Sequence, residues 1–222
     1  MMEKRWQKFC ERRFLFLLRM SPDISAFLLP LLLHEGEKLL DIGSGDADLL
    51  KELSGNKMAL YGIDPSYQGT SFPVVPEDIS LRSGIGESLP FEVGLFDTVV
   101  LQCVFSLCQP EETVEEVNRV LRPGGRLILA DLFTEGGNVQ RFESPVLSRL
   151  YPRECLEACF TPRFQVMSFQ DLTGALRDMV IEAIWAGDES SCIPCTDLDV
   201  LRKSKARYGL WVFRKQTVPE DR

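Results

Sequence analysis

The chain is poor in histidine: His34 is the only one in 222 residues. It stands just before the first predicted strand, whereas ligands of open α/β sheets sit beyond the carboxyl ends of the strands. A histidine general base is therefore not expected, and any proton transfer falls to a carboxylate, a tyrosine, a thiol or water. No apolar run reaches the roughly 18 residues of a bilayer span. The run at residues 14–18 is too short for a signal peptide and lacks a small-residue cleavage site, so a cytoplasmic protein is expected. Basic residues are outnumbered, 25 against 33 acidic ones, giving a formal net charge of -8. Such a surface does not draw in nucleic acid or anionic membrane at long range, and a small-molecule substrate is the expected partner. Linker-like stretches, internal repeats and low-complexity tracts are absent too. With 45% of its residues hydrophobic, the chain is long enough for one sizeable core.

What is present is organised around the stretch KLLDIGSGDADLL, which begins at Lys38. An apolar run breaks at Gly43-Ser44-Gly45, and a new apolar pattern resumes at Ala47, Leu49, Leu50 and Leu53. This reads as a buried strand turning sharply into a helix. The free amides of the helix that follows are expected to point into the space at this bend, where a ligand with acceptor atoms is expected. The dinucleotide fingerprint is incomplete, because Asp48 stands where G-x-G-x-x-G wants its third glycine. A second strand, Ala59-Leu60-Tyr61-Gly62-Ile63, ends in Asp64-Pro65, where an acidic side chain can accept hydrogen bonds from both ribose hydroxyls. Gly43, Gly45 and Asp64 together suggest an adenosine-containing cofactor.

Upstream, Trp6, Phe9, Cys10, Phe14, Leu17 and Leu18 share one face of a helix whose other side is basic, and a second apolar helix follows, interrupted by Pro30. Downstream, residues 68–80 show no periodicity, so the helix expected between the second and third strands is reduced to a loop. A weak third strand precedes Glu87. The β-branched centre of Leu95-Phe96-Asp97-Thr98-Val99-Val100-Leu101-Gln102 makes a fourth strand buried on both faces. A helix starts at Pro110-Glu111-Glu112 and stops at Arg122-Pro123-Gly124-Gly125, and a fifth strand runs over residues 126–132. Strand and helix in alternation imply a parallel, doubly wound sheet. Residues 134–149 read as a loop. Residues 152–160 and 172–185 read as helices, residues 163–169 as a strand, and Tyr208-Gly209-Leu210-Trp211-Val212-Phe213 as a last, aromatic one.

The seven cysteines are an odd number and read as thiols, metal ligands or redox groups, not as a disulfide framework. Cys10 and Cys103 suit apolar packing, and Cys103 and Cys108 flank the segment after the fourth strand. Cys155 and Cys159 lie one helical turn apart, and Cys192 and Cys195 form a C-x-x-C. That spacing is not a standard four-thiolate signature, and no metal is expected.

With LLDIGSGDADLL, YGIDPS, GESLPF, LFDTVVLQ and NRVLRPGGRLIL in that order, the chain resembles the class I S-adenosylmethionine-dependent methyltransferases. The likeness is to the type 11 branch that includes the quinone-biosynthesis C-methyltransferases, and it is firm over residues 39–132. It implies an α/β, Rossmann-like, doubly wound and mostly parallel seven-stranded sheet, with the last strand antiparallel beside the fifth and helices at the N-terminus. One domain over residues 1–222 is implied: a helical cap at 1–36, a cofactor-binding core at 37–133 and a substrate-side half at 134–222. The implied cofactor is S-adenosylmethionine. Asp41, Gly43, Ser44 and Gly45 would surround its methionine portion, Asp64 with Pro65 the ribose, and Gly86 and Glu87 the adenine. Gln102 would lie under the methionine end. Two positions depart from the family: Ile85 stands where an acidic residue is common, and Ala47 replaces the third motif glycine.

Methyl transfer from a sulfonium is an in-line displacement that positioning and exclusion of water can accelerate without a dedicated side chain. No catalytic residue is assigned on this reading. Asp131, Tyr67 and Tyr151 are candidate proton acceptors or substrate contacts. Three other readings compete. A nicotinamide oxidoreductase is disfavoured by the missing glycine and by Asp41 within the first strand. A cofactor-binding accessory protein would dock through the basic N-terminal helix. A metalloid methyltransferase would need three thiols near the sulfonium.

Overall fold

Alternation of side chains along the strands divides the core in two. In the computed structural model, which describes residues 22–69, 72–142, 147–178 and 203–217, Leu39 of β1 (Lys38–Ile42) packs on one face of the sheet and Leu40 on the other. The first face carries α1 (Pro22–Leu32) through Leu28 and Leu32, and α2 (Asp48–Leu53) through Leu49, Leu50 and Leu53. The second carries α3 (Pro110–Val120) through Val114, Val117 and Val120, and α4 (Arg153–Phe160) through Leu156 and Phe160. Helices on both faces of a mostly parallel sheet make the fold doubly wound and Rossmann-like.

β1 is flanked in parallel by β2 (Ala59–Asp64) and β4 (Phe96–Gln102), β2 by β3 (Ile79–Ser83), and β4 by β5 (Leu121–Thr134). Two short strands follow, β6 (Gln140–Arg141) and β7 (Arg149–Pro152). Then come β8 (Phe164–Asp171) and β9 (Arg207–Lys215). β9 runs antiparallel beside β5, and β8 antiparallel beside β9, so seven principal strands stand in the order 3-2-1-4-5-9-8.

Two expectations need correction. Residues 134–149 are not a plain loop: β6 pairs with β7, and β7 joins the far end of β5 at Phe133 and Thr134, which raises the strand count among the described residues to nine. Strands of two and four residues have no hydrophobic period to announce them, and tertiary pairing alone creates them. Pro30 does not interrupt its helix, which runs on to Leu32. It sits in the last turn, where the missing N–H removes one bond only. Between β2 and β3 the described residues contain no helix. The basic N-terminal helix, the C-x-x-C and most of the helix read at 172–185 lie outside the described residues, although 173–178 are helical.

Candidate functional site

β1 ends at Ile42, and the chain turns through Gly43 and Gly45, both at positive φ, +72° and +55°, with Ala47 at +60°. A Cβ on Gly43 would stand 2.6 Å from the Val104 side chain. A Cβ on Gly62 would stand 2.6 Å from Ser44 Oγ. Both glycines therefore let the turn lie tightly between the ends of β2 and β4.

The amides of this turn donate inward. Gly43 N and Ser44 N donate to Ile63 O at 2.7 and 3.1 Å, and Ala47 N to Ser44 O at 2.8 Å. Gly45 N donates to Asp64 Oδ2 at 2.9 Å, while Gly45 O accepts the Tyr67 hydroxyl at 2.5 Å. That hydroxyl also lies 2.9 Å from Ser44 Oγ. These four amides are thus taken up within the chain itself. Tyr67, only 1% exposed, braces the turn from behind and does not face the cavity.

A cavity of about 400 Å³ opens at the carboxyl ends of β1, β2 and β4. All nine residues singled out from the sequence line it: Asp41, Gly43, Ser44, Gly45, Asp64, Pro65, Gly86, Glu87 and Gln102. Asp46, Asp48 and Ser66 line it as well and were not named, although each is within three residues of one that was; Cys103 and Cys108, which flank the segment after the fourth strand, line it too. Among the described residues five of the lining side chains are carboxylates, Asp41, Asp46, Asp48, Asp64 and Glu87, and no lysine, arginine or histidine lines the cavity. Such a wall attracts a cation and repels a pyrophosphate. With its amides turned inward, the glycine loop is a poor phosphate cradle.

At one end, Glu87 Oε1 accepts the Gln109 amide at 2.7 Å, just ahead of α3, and Ile85 stands half-exposed on the wall. A Cβ on Gly86 would meet Thr113 Cγ2 at 3.3 Å and Cys108 Sγ at 3.5 Å. Burial, with the negative charge of Glu87 behind it, pushes the Cys108 thiol up to about 12. It is a neutral wall atom at physiological pH, not a nucleophile.

At the other end, Gln102 and Cys103 cap β4, with Cys103 in the left-handed region at φ +54°. Cys103 Sγ lies 3.4 Å from the hydroxyl of Tyr208, a fully buried residue of β9. Tyr208 approaches across β5, where Ala130 faces Leu210 and Gln102 in register. Burial holds the Tyr208 phenol well above its ordinary range, so it stays protonated. Of the candidate proton acceptors, none lines the cavity. Asp131 is buried behind it, accepting Leu132 N at 2.8 Å and Ser106 N at 3.4 Å, and Tyr151 packs on Phe105. His34 lies at the opposite end of the sheet, 2.9 Å from Arg126 Nη1. Cys155 and Cys159 sit on α4 away from the cavity. Among the described residues no group of three or more His, Cys, Asp or Glu could hold a metal ion.

The cavity thus lies at the carboxyl ends of β1, β2 and β4, beside a glycine turn after β1 and an acid at the end of β2, where open α/β sheets bind their ligands. Residues 40–129 match the family model of a methyltransferase domain. An arsenite methyltransferase from Aquipseudomonas alcaligenes is 30% identical over 142 residues, covering 54% of this chain and 41% of that protein. A demethylmenaquinone methyltransferase from Corynebacterium glutamicum is 33% identical over 103 residues, covering 46% and 44%. The chain therefore spans less than half the length of these two relatives. Among solved structures, geranyl diphosphate C-methyltransferase from Streptomyces coelicolor superposes with a TM-score of 0.73 at 15% identity, covering 89% of this chain and 81% of that one. The [4+2]-cyclase SpnF superposes with a TM-score of 0.69 at 18% identity, covering 88% and 81%. Residues 40–129 are thus similar to a methyltransferase domain, on a fold shared with solved structures that hold S-adenosylmethionine or S-adenosylhomocysteine. The lining fits S-adenosylmethionine, since its five carboxylates complement a sulfonium and an ammonium.

Proposed function

We propose that the protein transfers a methyl group from S-adenosylmethionine to a small-molecule acceptor. The observation that carries the reading is a cavity around a glycine turn whose charged lining side chains, among the described residues, are all carboxylates. When bound, the cofactor supplies an electrophilic methyl on sulfur. Asp64 and Pro65 hold the ribose end, Gly86 and Glu87 border the adenine, and Asp41, Gly43, Ser44, Gly45 and Gln102 enclose the methionine end. The contribution of these residues is alignment and exclusion of water. A small acceptor is supported by the -8 charge and by relatives whose names specify arsenite and demethylmenaquinone. The reading treats residues 1–222 as one domain, with 134–222 on the acceptor side. It places the protein in the cytoplasm, in keeping with a described structure in which no helix is long and apolar enough to cross a membrane.

A second reading, a cofactor-binding protein without methyl transfer, is favoured by one observation: a [4+2]-cyclase shares the fold. Metalloid methylation through thiols gains less support, because only Cys103 and Cys108 among the described cysteines line the cavity. Calorimetric titration with S-adenosylmethionine, beside Asp64→Ala, tests the site. Micromolar binding lost in the variant is expected, and absence of binding by the folded wild type overturns the reading. Transfer of labelled methyl to a small-molecule extract separates enzyme from accessory protein.

A further inference from the structure

Asp64 presents a carboxylate whose acceptor positions are largely occupied by its own chain. Oδ2 accepts Gly45 N at 2.9 Å. Oδ1 accepts Ser66 N at 2.9 Å and Ser66 Oγ at 2.5 Å. A carboxylate offers about four lone-pair sites, two on each oxygen. Oδ2 therefore keeps one site and Oδ1 keeps none. A vicinal diol engages a carboxylate best with one hydroxyl on each oxygen, and here only one hydroxyl finds a place. The three donors already present are not equivalent. Gly45 N is fixed by the turn, whose carbonyl Tyr67 holds from the other side, and Ser66 N is fixed by the tight bend after β2. The Ser66 hydroxyl alone can rotate away, and Ser66 is exposed on the cavity wall, where water can satisfy it.

Resting on the reading that this cavity takes S-adenosylmethionine, we propose that Ser66 is a specificity-determining residue whose hydroxyl competes with the ribose diol for Asp64 Oδ1. In the free protein the Ser66 hydroxyl occupies that oxygen. In the complex it turns out to solvent, and both carboxylate oxygens hold the diol. Ser66 thus sets the affinity below what Asp64 alone would give, an advantage where a product carrying the same ribose must leave.

The test is calorimetry on the full chain with S-adenosylmethionine, S-adenosylhomocysteine and the 2′,3′-dideoxy form of the latter. Ser66→Ala is expected to bind both ribose-bearing ligands about three- to tenfold more tightly than wild type, the range of one hydrogen bond. Ser66→Thr, which keeps the hydroxyl, is expected to match wild type, and the dideoxy ligand is expected to bind wild type and Ser66→Ala equally. Unchanged or weaker binding of ribose-bearing ligands by Ser66→Ala, with an unaltered melting temperature, overturns the competition, as does an equal gain for the dideoxy ligand. Wild type and Asp64→Ala that bind S-adenosylmethionine equally would overturn the site assignment itself, which is a distinct result.

Discussion

At the scale of single residues, the sharpest constraints come from what a side chain would displace. Gly43→Ala places a Cβ 2.6 Å from Val104 at a φ of +72°. Left-handed strain and overpacking each act here, and a loss of about 2–4 kcal/mol is expected by denaturant titration. Adding Val104→Ala should restore part of that loss by removing the opposing methyls while leaving the backbone strain. Cys108 supports a second prediction. With its thiol pushed up to about 12, it stays protonated at pH 8. Iodoacetamide followed by peptide mass spectrometry is expected to leave Cys108 unmodified in the native protein and to label it only after unfolding, whereas the exposed Cys155 is open to the reagent. Native labelling of Cys108 at a rate like that of Cys155 would refute a neutral, walled-in thiol. The sequence made Gly43, Asp64 and Glu87 legible because motif spacing around a strand end is local. It could not show that Gly45 N belongs to Asp64 or that Tyr67 holds Gly45 O, since those contacts exist only once β1 and β2 are side by side.

At the scale of elements, the segment carrying Gly86 and Glu87 is pinned to α3 by one ion pair. Arg119 donates to Leu89 O and Phe91 O at 2.9 and 2.7 Å and pairs with Glu116, while Glu116 Oε2 accepts Leu89 N at 2.7 Å. Arg119→Ala leaves two carbonyls without their donor and is expected to cost about 1–3 kcal/mol and to weaken cofactor binding together with stability. The Arg119 hydrogen bond holds the Glu116 carboxyl below its ordinary value of 4.5, against burial and with help from Leu89 N–H. A carboxyl depressed in the folded state contributes stability that is complete above its unfolded value and is lost as pH falls through the folded one. The melting-temperature gap between wild type and Glu116→Gln is therefore expected to be full at pH 7 and to close only as pH falls below the ordinary carboxyl range. The helix bearing this pair was readable from Pro110, its acids and its valine stripe, as were β1, β4 and β9 from their apolar runs; of β5 only residues 126–132 were, since the strand already begins at Leu121 and runs through Pro123 and Gly124. The β6–β7 hairpin was not, because elements this short exist only by pairing with the end of β5.

At the scale of the whole molecule, the net charge of -8 and the five cavity carboxylates act in the same direction. S-adenosylmethionine carries a net positive charge through its sulfonium and ammonium, and methyl transfer removes the sulfonium charge. The field of the protein thus favours the substrate form of the cofactor over the product form, by an amount that salt should screen. Raising ionic strength from about 20 to about 500 mM is expected to weaken S-adenosylmethionine binding severalfold and S-adenosylhomocysteine binding much less, because screening acts on the charge that only the former has. A dinucleotide with its pyrophosphate should not bind at low salt at all. If both ligands respond to salt equally, the carboxylates act as local hydrogen-bond acceptors and not as a charge selector. If a dinucleotide binds best at low salt, the wall around the glycine turn has been assigned the wrong ligand.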